Sequence, residues 1–326
     1  MTIPPKYTIT TRIQNLLRNL DILKVAFTLV PINPLITRNI RRASLLKSSI
    51  YSARIEGNPL EPYNISEHSL IHPTTLSKRE ITNIARALNF IDRESPKRLS
   101  LEYLKKLHAI VLEKISSDTG QFRTEVSAIF NEGGVAIYMT PPPQKIEELI
   151  NKWYSWCNTS GEPGPVKAAL AHFWVEKIHP FLDGNGRVGR LVITYILKQS
   201  GYDFGGLITF EEYLDEHRQT YYDELNSSGQ DITSFVEFFL ESIASQAQLL
   251  IEQIKNPLPQ MQSNLLPRRQ EILDTIRDHT MVSFDMLWRR FQRVPKSTLH
   301  NDLKQLMKAG LIKKLGTTRG VVYTQS

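Results

Sequence analysis

Apolar residues recur at helical spacing along most of the chain. In residues 166–178 the apolar positions include Ala169, Phe173 and Ile178, which predicts a helix. Pro180 disfavours helical geometry in the residue before it, so this helix is expected to end at His179. The same periodicity predicts amphipathic helices within residues 13–55, 77–91, 101–115, 146–156 and 232–251. The hydrophobic pattern therefore indicates a mainly helical protein.

A different pattern lies between residues 120 and 143. The stretch 120–124 reads Gly-Gln-Phe-Arg-Thr, and it is followed by β-branched and aromatic residues up to Tyr138 and then by three prolines at 141–143. Glycine, β-branched and aromatic residues closed by prolines favour a hairpin over a helix. A small β-hairpin is therefore predicted for residues 125–138.

The C-terminal part has its own pattern. After the proline-bearing stretch 256–260, three short helices are predicted at 268–278, 283–291 and 296–309. Ser283 can cap the second helix and Pro295 can open the third. A strand over 310–316, a turn over 317–320 and a strand over 321–323 follow, so three helices and a β-hairpin are expected here.

Residues 179–190 combine polar chemistry with glycine in one stretch, which reads His-Pro-Phe-Leu-Asp-Gly-Asn-Gly-Arg-Val-Gly-Arg. Gly184 and Gly186 let consecutive backbone N–H groups converge on an anion. A helix beginning near Arg187 adds its free N–H groups, and Arg190 lies on the same helical face. This stretch predicts a phosphate site between two guanidinium groups.

Two further residues of this stretch could carry chemistry. His179 at a helix end can accept a proton near neutral pH when its imidazole is uncharged. Asp183 is placed to hold a divalent cation that bridges phosphate oxygens, because Mg²⁺ takes one or two carboxylates and completes its shell with phosphates and water.

The stretch 179–190 resembles the signature of the Fic family, His-x-Phe-x-Asp/Glu-Gly-Asn-Gly-Arg-x-x-Arg, at every specified position. The resemblance implies transfer of AMP from ATP to a hydroxyl side chain of a protein. It also implies an all-helical core with a small β-hairpin flap. Other relatives move different phosphate-linked groups through the same loop, so the transferred group is itself an inference.

The resemblance also implies roles for single residues. His179 is expected to act as general base, and Asp183 to bind Mg²⁺ between the α and β phosphates. Arg187 is expected to neutralise the α/β region and Arg190 to bind the γ-phosphate. The remaining members of the expected phosphate-binding turn are Gly184, Asn185 with its side-chain amide, Gly186, Val188 and Gly189.

A second motif lies upstream. Residues 52–57 fit the inhibitory pattern Ser/Thr-x-x-x-Glu-Gly/Asn that accompanies many Fic proteins. Ser52 and Glu56 share one helical face, and Gly57 favours a helix end, so Glu56 would benefit from a nearby cation. By resemblance that cation is Arg190, and the ion pair would block the γ-phosphate. The alternative is an exposed acid at the end of a helix.

Two weaker resemblances concern the rim of the site. Ile129, Phe130 and Asn131 are expected contacts at the tip of the flap, which docks the target backbone in the family. Tyr221 and Tyr222 resemble an aromatic pair near the adenine. Their alternative reading is that of core aromatics on an amphipathic helix.

The three C-terminal helices and the hairpin resemble a winged helix-turn-helix. Residues 297–304 would form its recognition helix, with Leu299, Leu303 and Leu306 facing the core. Residues 265–326 hold twelve Lys/Arg and five Asp/Glu, whereas the rest of the chain holds 28 of each. This charge indicates a phosphate-backbone binder such as duplex DNA; the alternative is a protein-interaction or dimerisation arm. The expected DNA contacts are Lys296, Ser297, Thr298, His300, Asn301, Lys304, Lys313, Lys314 and Arg319.

Composition sets the outer bounds. With 41% hydrophobic and 22% charged residues, the 326-residue chain has the composition of a globular protein of two or three compact units. A single cysteine, Cys157, excludes an intramolecular disulfide, and no Cys/His cluster suggests zinc. The N-terminal residues lack the apolar run of a signal peptide, so a cytoplasmic protein without membrane contact is expected.

The sequence therefore predicts four parts: a helical region with the inhibitory helix (1–98), a Fic core (99–252), a linker (253–264) and a winged helix (265–326). The expected activity is an autoinhibited, Mg-ATP-dependent protein adenylyltransferase that acts on a hydroxyl of a target protein or of itself. Two alternatives stay open: a DNA-binding regulator with a nucleotide-sensing Fic unit, and a hydrolase that removes AMP. The sequence names neither the target nor the oligomeric state, and a homodimer is left open.

Overall fold

A computed structural model describes residues 4–30, 34–62, 73–130, 136–226, 231–256, 265–279, 281–292, 294–316 and 321–326. The chain divides into two compact units. The first comprises Met1–Pro59 and Arg79–Met261, and the second comprises Leu60–Lys78 and Gln262–Ser326. The four-part division expected from the sequence stays a prediction.

The described part of the first unit is a helical assembly around one hydrophobic core. Its helices are α1 (Thr11–Leu29), α2 (Pro34–Ile55), α3 (Leu76–Arg93, whose first residues lie in the second unit), α4 (Leu101–Val111), α5 (Ile146–Thr159), α6 (Gly164–Ile178), α7 (Asn185–Ser200), α8 (Phe210–Glu216), α9 (Arg218–Asn226) and α10 (Thr233–Lys255). The helical pattern predicted from the apolar spacing is confirmed, and the predicted segment 13–55 divides into α1 and α2.

Helix α6 is buried on nearly all sides and lies at the centre of this unit. It packs against α7, and Gly189 is the reason the two helices can approach closely. A Cβ atom at Gly189 would lie 2.4 Å from Oε1 of Glu176 and 2.8 Å from Nδ1 of His172. This contact positions the loop 179–184, which joins α6 to α7.

The predicted end of α6 is confirmed. The helix stops at Ile178, and His179 adopts a left-handed conformation with φ 48° and ψ 60°. The predicted hairpin is present with shorter strands, β1 (Ala128–Phe130) and β2 (Ala136–Met139), which pair antiparallel. The hairpin lies between α4 and α5 in the chain.

The second unit has its own hydrophobic core. Its described elements are α11 (Pro267–His279), β3 (Val282–Ser283), α12 (Phe284–Arg290), α13 (Lys296–Lys308), β4 (Ile312–Leu315) and β5 (Val322–Gln325). The three predicted helices are confirmed. The sheet has the order β3-β5-β4, so the predicted hairpin pairs with an additional short strand that the sequence pattern did not indicate.

Helix α13 faces the core of the second unit through Leu299, Leu303 and Leu306, as predicted. Asp302 on the same helix is also buried, and its two oxygens accept hydrogen bonds from Arg268 at 2.5 Å and Arg269 at 2.8 Å. Two arginines on α11 thereby neutralise the buried carboxylate and join the two helices. Part of the positive charge of this unit is therefore structural.

Candidate active site

A cavity of about 920 Å³ opens beside the loop 179–184 in the first unit. Its volume is at the upper end of ordinary ligand pockets. Predicted residues that line it are Glu56, Ile129, His179, Asp183, Gly184, Asn185, Gly186, Tyr221 and Tyr222. The structure thus brings together the end of α2, the hairpin, the loop 179–184 with the start of α7, and α9.

The loop has a fixed shape because polar side chains bind its backbone. The side-chain oxygen of Asn185 accepts a hydrogen bond from Phe181 N, and its amide nitrogen donates to Phe181 O, both at 2.9 Å. Asn185 was expected to cradle phosphate through this side chain. In this structure the side-chain amide is buried and holds the loop, and its expected phosphate contact stays a prediction.

His108 supports the same loop from α4, and the sequence reasoning missed it. Its ring stacks on Phe181 at a centroid distance of 3.8 Å. Gly120 N donates to its Nδ1 at 2.7 Å, so Nε2 carries the proton and donates to Asp183 O at 3.0 Å. Burial lowers the pKa of His108, which favours the neutral ring that this double contact requires.

His179 has the geometry of a proton acceptor. Its Nδ1 lies 3.4 Å from the carbonyl oxygen of Glu176, which can only accept, so Nδ1 carries the proton and the lone pair is on Nε2. Burial lowers the pKa of His179, and the charge of Arg123 acts in the same direction. The imidazole is therefore neutral at physiological pH and borders the cavity.

Arg190 is buried and held by the segment predicted to be inhibitory. Its Nε donates to Ser52 Oγ at 2.9 Å, and its Nη2 donates to Ser52 O at 2.7 Å and to Glu56 Oε1 at 2.9 Å. The ion pair expected from the sequence is present. Nη1 of Arg190 is a buried donor without a partner in the described part of the chain, and it faces Gly186.

Gly186 makes room for the Glu56 carboxylate. A Cβ atom at Gly186 would lie 2.1 Å from Oε1 of Glu56 and 3.2 Å from Nη1 of Arg190. The carboxylate therefore lies against the backbone of residues 184–186, whose N–H groups form the predicted phosphate site, the phosphate nest. An anion in that nest would compete with Glu56 for the same space and charge.

Arg187 has two carboxylate partners. Its Nη1 donates to Glu80 Oε1 at 2.5 Å, and its Nη2 donates to Asp183 Oδ1 at 2.7 Å. The second oxygen of Glu80 accepts from Asn58 at 2.7 Å, just after the inhibitory motif. The sequence reasoning missed Glu80, because nothing in the local pattern of α3 indicates a partner 107 residues away.

Four other residues were predicted to contact the nucleotide: Tyr221 and Tyr222 border the cavity, and Val188 and Gly189 do not line it. Tyr222 borders the cavity and donates to Ile55 O at 2.7 Å. Tyr221 borders it too but is packed in the core, with its hydroxyl 2.7 Å from His172 Nε2, as the core-aromatic alternative predicts, and its contact with adenine stays a prediction. Val188 and Gly189 have structural contacts: the Val188 side chain lies in the core, and Gly189 lets α6 pack closely against α7, while their expected phosphate contacts stay predictions.

Glu176 borders the cavity and was not predicted from the sequence. Burial and the nearby Glu56 carboxylate raise the pKa of Glu176 to about 8, so its carboxyl group is largely protonated at neutral pH. Its neighbour Lys177 lies above the Tyr138 ring of β2 at 4.5 Å. Lys177 thereby connects α6 to the hairpin.

Among the predicted flap residues, Ile129 lies in β1 and borders the cavity. Phe130 is the last residue of β1, and its side chain lies outside the described part, as does the whole of Asn131. The structure therefore supports only Ile129 as a cavity contact.

The predicted DNA-binding residues belong to the second unit. Lys296, Ser297, His300, Asn301, Lys304, Lys313 and Lys314 are exposed, and Thr298 is half-buried. His300 stacks on Phe284 at 3.9 Å, and Lys296 lies 4.1 Å above the Trp288 ring. Arg319 lies outside the described residues.

Comparison with known proteins supplies the family context for this geometry. Residues 98–197 match the Fic/DOC family. The matched segment contains α4, the hairpin, α5, α6 and all of α7 but its last three residues, and therefore the whole stretch from His179 to Arg190.

The chain is similar to proteins named protein adenylyltransferase. The protein adenylyltransferase Fic of Aedes aegypti is 28% identical over 199 residues, covering 58% of this chain and 38% of the relative. The Nematostella vectensis relative of the same name is 26% identical, over 69% of this chain and 53% of the relative. The chain thus spans about two fifths to half the length of these relatives.

Two crystal structures share the fold. A Fic family protein from Desulfovibrio desulfuricans G20 matches with a TM-score of 0.68 at 21% identity, covering 99% of this chain and 98% of that one. A Fic domain containing signaling protein from Bacteroides thetaiotaomicron matches with a TM-score of 0.62 at 20% identity, over 73% and 98% of the two chains. Within the described residues, no helix of this chain has the length and apolar character that a membrane span requires.

Proposed function

We propose that this chain is a protein adenylyltransferase that moves AMP from ATP to a hydroxyl side chain of a protein, and that Glu56 holds it inactive. The observation that supports this most strongly is the Arg190 contact. A fully buried arginine beside a glycine-lined nest pairs with a carboxylate from another segment, at the position expected of a phosphate ligand. The named relatives support the chemistry.

In the proposed reaction His179 acts as general base. A target hydroxyl donates its proton to Nε2 while its oxygen attacks the α-phosphorus of ATP. The bond from that phosphorus to the bridging oxygen breaks, and pyrophosphate leaves. The backbone amides of Asn185 and Gly186 and the guanidinium of Arg187 stabilise the phosphate charge, as positioned donors do in other phosphoryl transfers, whereas the backbone N–H of Gly184 donates to Asp183 Oδ1 at 2.6 Å.

The residues present fit a magnesium ion. Asp183 is a carboxylate with a 58% exposed side chain that borders the cavity beside the nest, and one or two carboxylates are what Mg²⁺ takes when phosphates and water supply its other ligands. No cluster of three or more His, Cys, Asp or Glu ligands occurs in the described ranges, so a site made by protein ligands alone is not indicated there. Bound Mg²⁺ would neutralise phosphate charge.

The direct test uses the Glu56→Gly variant with ATP and Mg²⁺, followed by intact-protein mass spectrometry of the chain and of proteins added from a lysate. We expect a mass increase of one AMP group on a hydroxyl side chain, which peptide fragmentation locates. ATP binding without any modified protein would favour a nucleotide sensor instead. Release of AMP from an already modified protein, dependent on Glu56, would favour the hydrolase.

The pH profile of transfer should report His179. Since the base must be neutral, kcat/KM of the Glu56→Gly variant should fall as pH drops through the pKa of this residue. Burial places that pKa below the ordinary 6.5, and removal of Glu56 lowers it further because its negative charge favours the imidazolium. We expect an acid limb centred below pH 6.5; a limb centred above pH 6.5 would contradict the assignment.

We further propose that the second unit is a winged helix that binds duplex DNA. The support is the excess of seven positive charges on residues 265–326 together with the exposed polar face of α13 and the exposed Lys313 and Lys314. The alternative is a protein-interaction arm. DNA binding and protein binding both fit a surface of this charge, and the salt dependence of DNA affinity distinguishes them.

DNA binding by the full chain should weaken steeply with salt, because lysines on the second unit displace phosphate counterions. The variant Lys313→Glu, Lys314→Glu should lower affinity at low salt and reduce the slope of log K against log salt by about 2. The matched control Lys145→Glu, Lys152→Glu changes two exposed lysines of the first unit and should leave binding unchanged. Absence of DNA binding at low salt would support the interaction arm.

A further inference from the structure

Arg123 connects three backbone segments around the active site. Its Nε donates to His179 O at 2.7 Å, its Nη1 to Glu125 O at 2.7 Å and its Nη2 to Pro141 O at 2.6 Å. Its own backbone N–H donates to Pro180 O at 3.0 Å. One side chain thus binds the end of α6 and both ends of the hairpin.

Arg123 is buried, and its guanidinium binds backbone carbonyl oxygens. The residue is only 5% exposed, and its three shortest hydrogen bonds run to carbonyl oxygens. Nη2 also donates at 3.5 Å to the carbonyl oxygen of Ile178, the last residue of α6, where the aligned peptide dipoles of the helix place partial negative charge. The C-terminal end of α6, which presents His179, therefore supplies part of the negative charge that compensates the Arg123 guanidinium.

His179 needs such support. Its left-handed backbone, with φ 48°, is disfavoured for a residue with a side chain because the Cβ atom comes too close to the following carbonyl oxygen. The hydrogen bonds from Arg123 to the carbonyls of His179 and Pro180 fix the peptide groups on the C-terminal side of this residue. They therefore help to hold the direction of the imidazole.

The hairpin is held at its base by the same arginine. Glu125 lies shortly before β1 and Pro141 shortly after β2, and Thr140 closes the base by donating to Ser127 O through N at 3.2 Å and through Oγ1 at 2.6 Å. Ile129 in this hairpin borders the cavity. An extended segment of a target protein could pair with the edge of such a hairpin through its backbone.

We propose that Arg123 is a positioning residue, which fixes the hairpin relative to His179 so that a protein backbone docked on the hairpin delivers its hydroxyl to Nε2. This inference rests on the proposed transferase activity. It concerns the binding of the acceptor protein. The loop 179–184 on the nucleotide side is held separately, by hydrogen bonds to Asn185 and from His108.

The proposal predicts different effects on AMP transfer to a protein hydroxyl and on AMP transfer to water. Water can replace the protein hydroxyl: its oxygen bonds to the α-phosphorus, its proton passes to His179, and AMP and pyrophosphate are released. Water needs no docking on the hairpin. Loss of the Arg123 contacts should therefore reduce transfer to protein more than hydrolysis of ATP to AMP.

The experiment compares Arg123→Lys with the matched control Arg41→Lys, both in the Glu56→Gly variant. Arg41 also donates to a backbone carbonyl, that of Gly205 at 2.9 Å, far along the chain from the hairpin. We expect Arg123→Lys to lower kcat for protein transfer by at least about tenfold, as small misplacements of reacting groups do, with AMP release changed less than threefold. Equal losses in both reactions, no loss, or a variant that fails to fold would show a merely structural residue and overturn the proposal.

A second readout is independent of catalysis and separates this proposal from the proposed function. In Arg123→Met, the pKa of His179 measured by NMR on histidine-labelled protein should rise, because a neighbouring cation is removed. Amide exchange in residues 125–130 and 136–141 should accelerate, while Arg41→Met should change neither. These results without any AMP transfer in the parent would refute the transferase and retain the Arg123 linkage; unchanged His179 and hairpin signals would overturn the linkage.

Discussion

Replacing Glu56 by glycine is expected to raise AMP transfer to the chain itself and to target proteins by about two orders of magnitude, the range typical of one charge-stabilising donor gained or lost. The variant removes the carboxylate that occupies Arg190 at 2.9 Å and lies against Gly186. Arg190 and the nest then become available to ATP phosphates. Label incorporation from ATP measures the effect.

Two comparisons make this expectation specific. In Glu56→Gly, Arg190→Ala the stimulation should largely disappear, since non-additivity is expected when two residues act on each other. Glu94→Gly is the matched control, because Glu94 is also an acid one residue past the end of a helix, here α3. Equal rates in Glu56→Gly and Glu94→Gly would return Glu56 to the role of an exposed acid at a helix end.

Replacing His179 by alanine in the Glu56→Gly variant should lower transfer by about 10²–10⁴-fold, the usual contribution of a general base. ATP affinity should hardly change, because in the proposed site the phosphates are held by the backbone N–H groups of the nest, Arg187 and Arg190 and not by His179. Calorimetry with ATP and a transfer assay on the same protein separate the two quantities.

His217→Ala is the control for this histidine. Its Nδ1 lies 2.9 Å from a backbone carbonyl one turn earlier, as in His179, but it is exposed and absent from the cavity lining. It should leave transfer unchanged. If His179→Ala kept the turnover of its parent, or lost ATP binding together with transfer, His179 would not be the base.

The contacts that the sequence predicted correctly are those with a local signal. Proline disfavours helical backbone angles in the residue before it, so Pro180 alone predicted that α6 ends at His179. Ser52 and Glu56 share a helical face because of their spacing, and both now contact Arg190. The motif supplied the distant partner, which periodicity alone could not have named.

The contacts that the sequence missed join segments far apart in the chain. Glu80 reaches Arg187, His108 reaches Asp183 O, and Arg123 reaches His179 O across 107, 75 and 56 residues. Local propensity carries no information on such pairs, because their geometry is set by the packing of whole helices. The same packing gives Gly189 and Asn185 structural tasks where a phosphate contact had been expected.

The most direct measurement uses ATP labelled at the α-phosphate in one reaction and at the γ-phosphate in another, with Mg²⁺ and three proteins: the unaltered chain, Glu56→Gly, and Glu56→Gly with His179→Ala. We expect stable label on protein only from α-labelled ATP, strong in Glu56→Gly, weak in the unaltered chain and lost with His179→Ala. Label from the γ-phosphate, or no protein label in Glu56→Gly with ATP demonstrably bound, would contradict an AMP transferase restrained by Glu56.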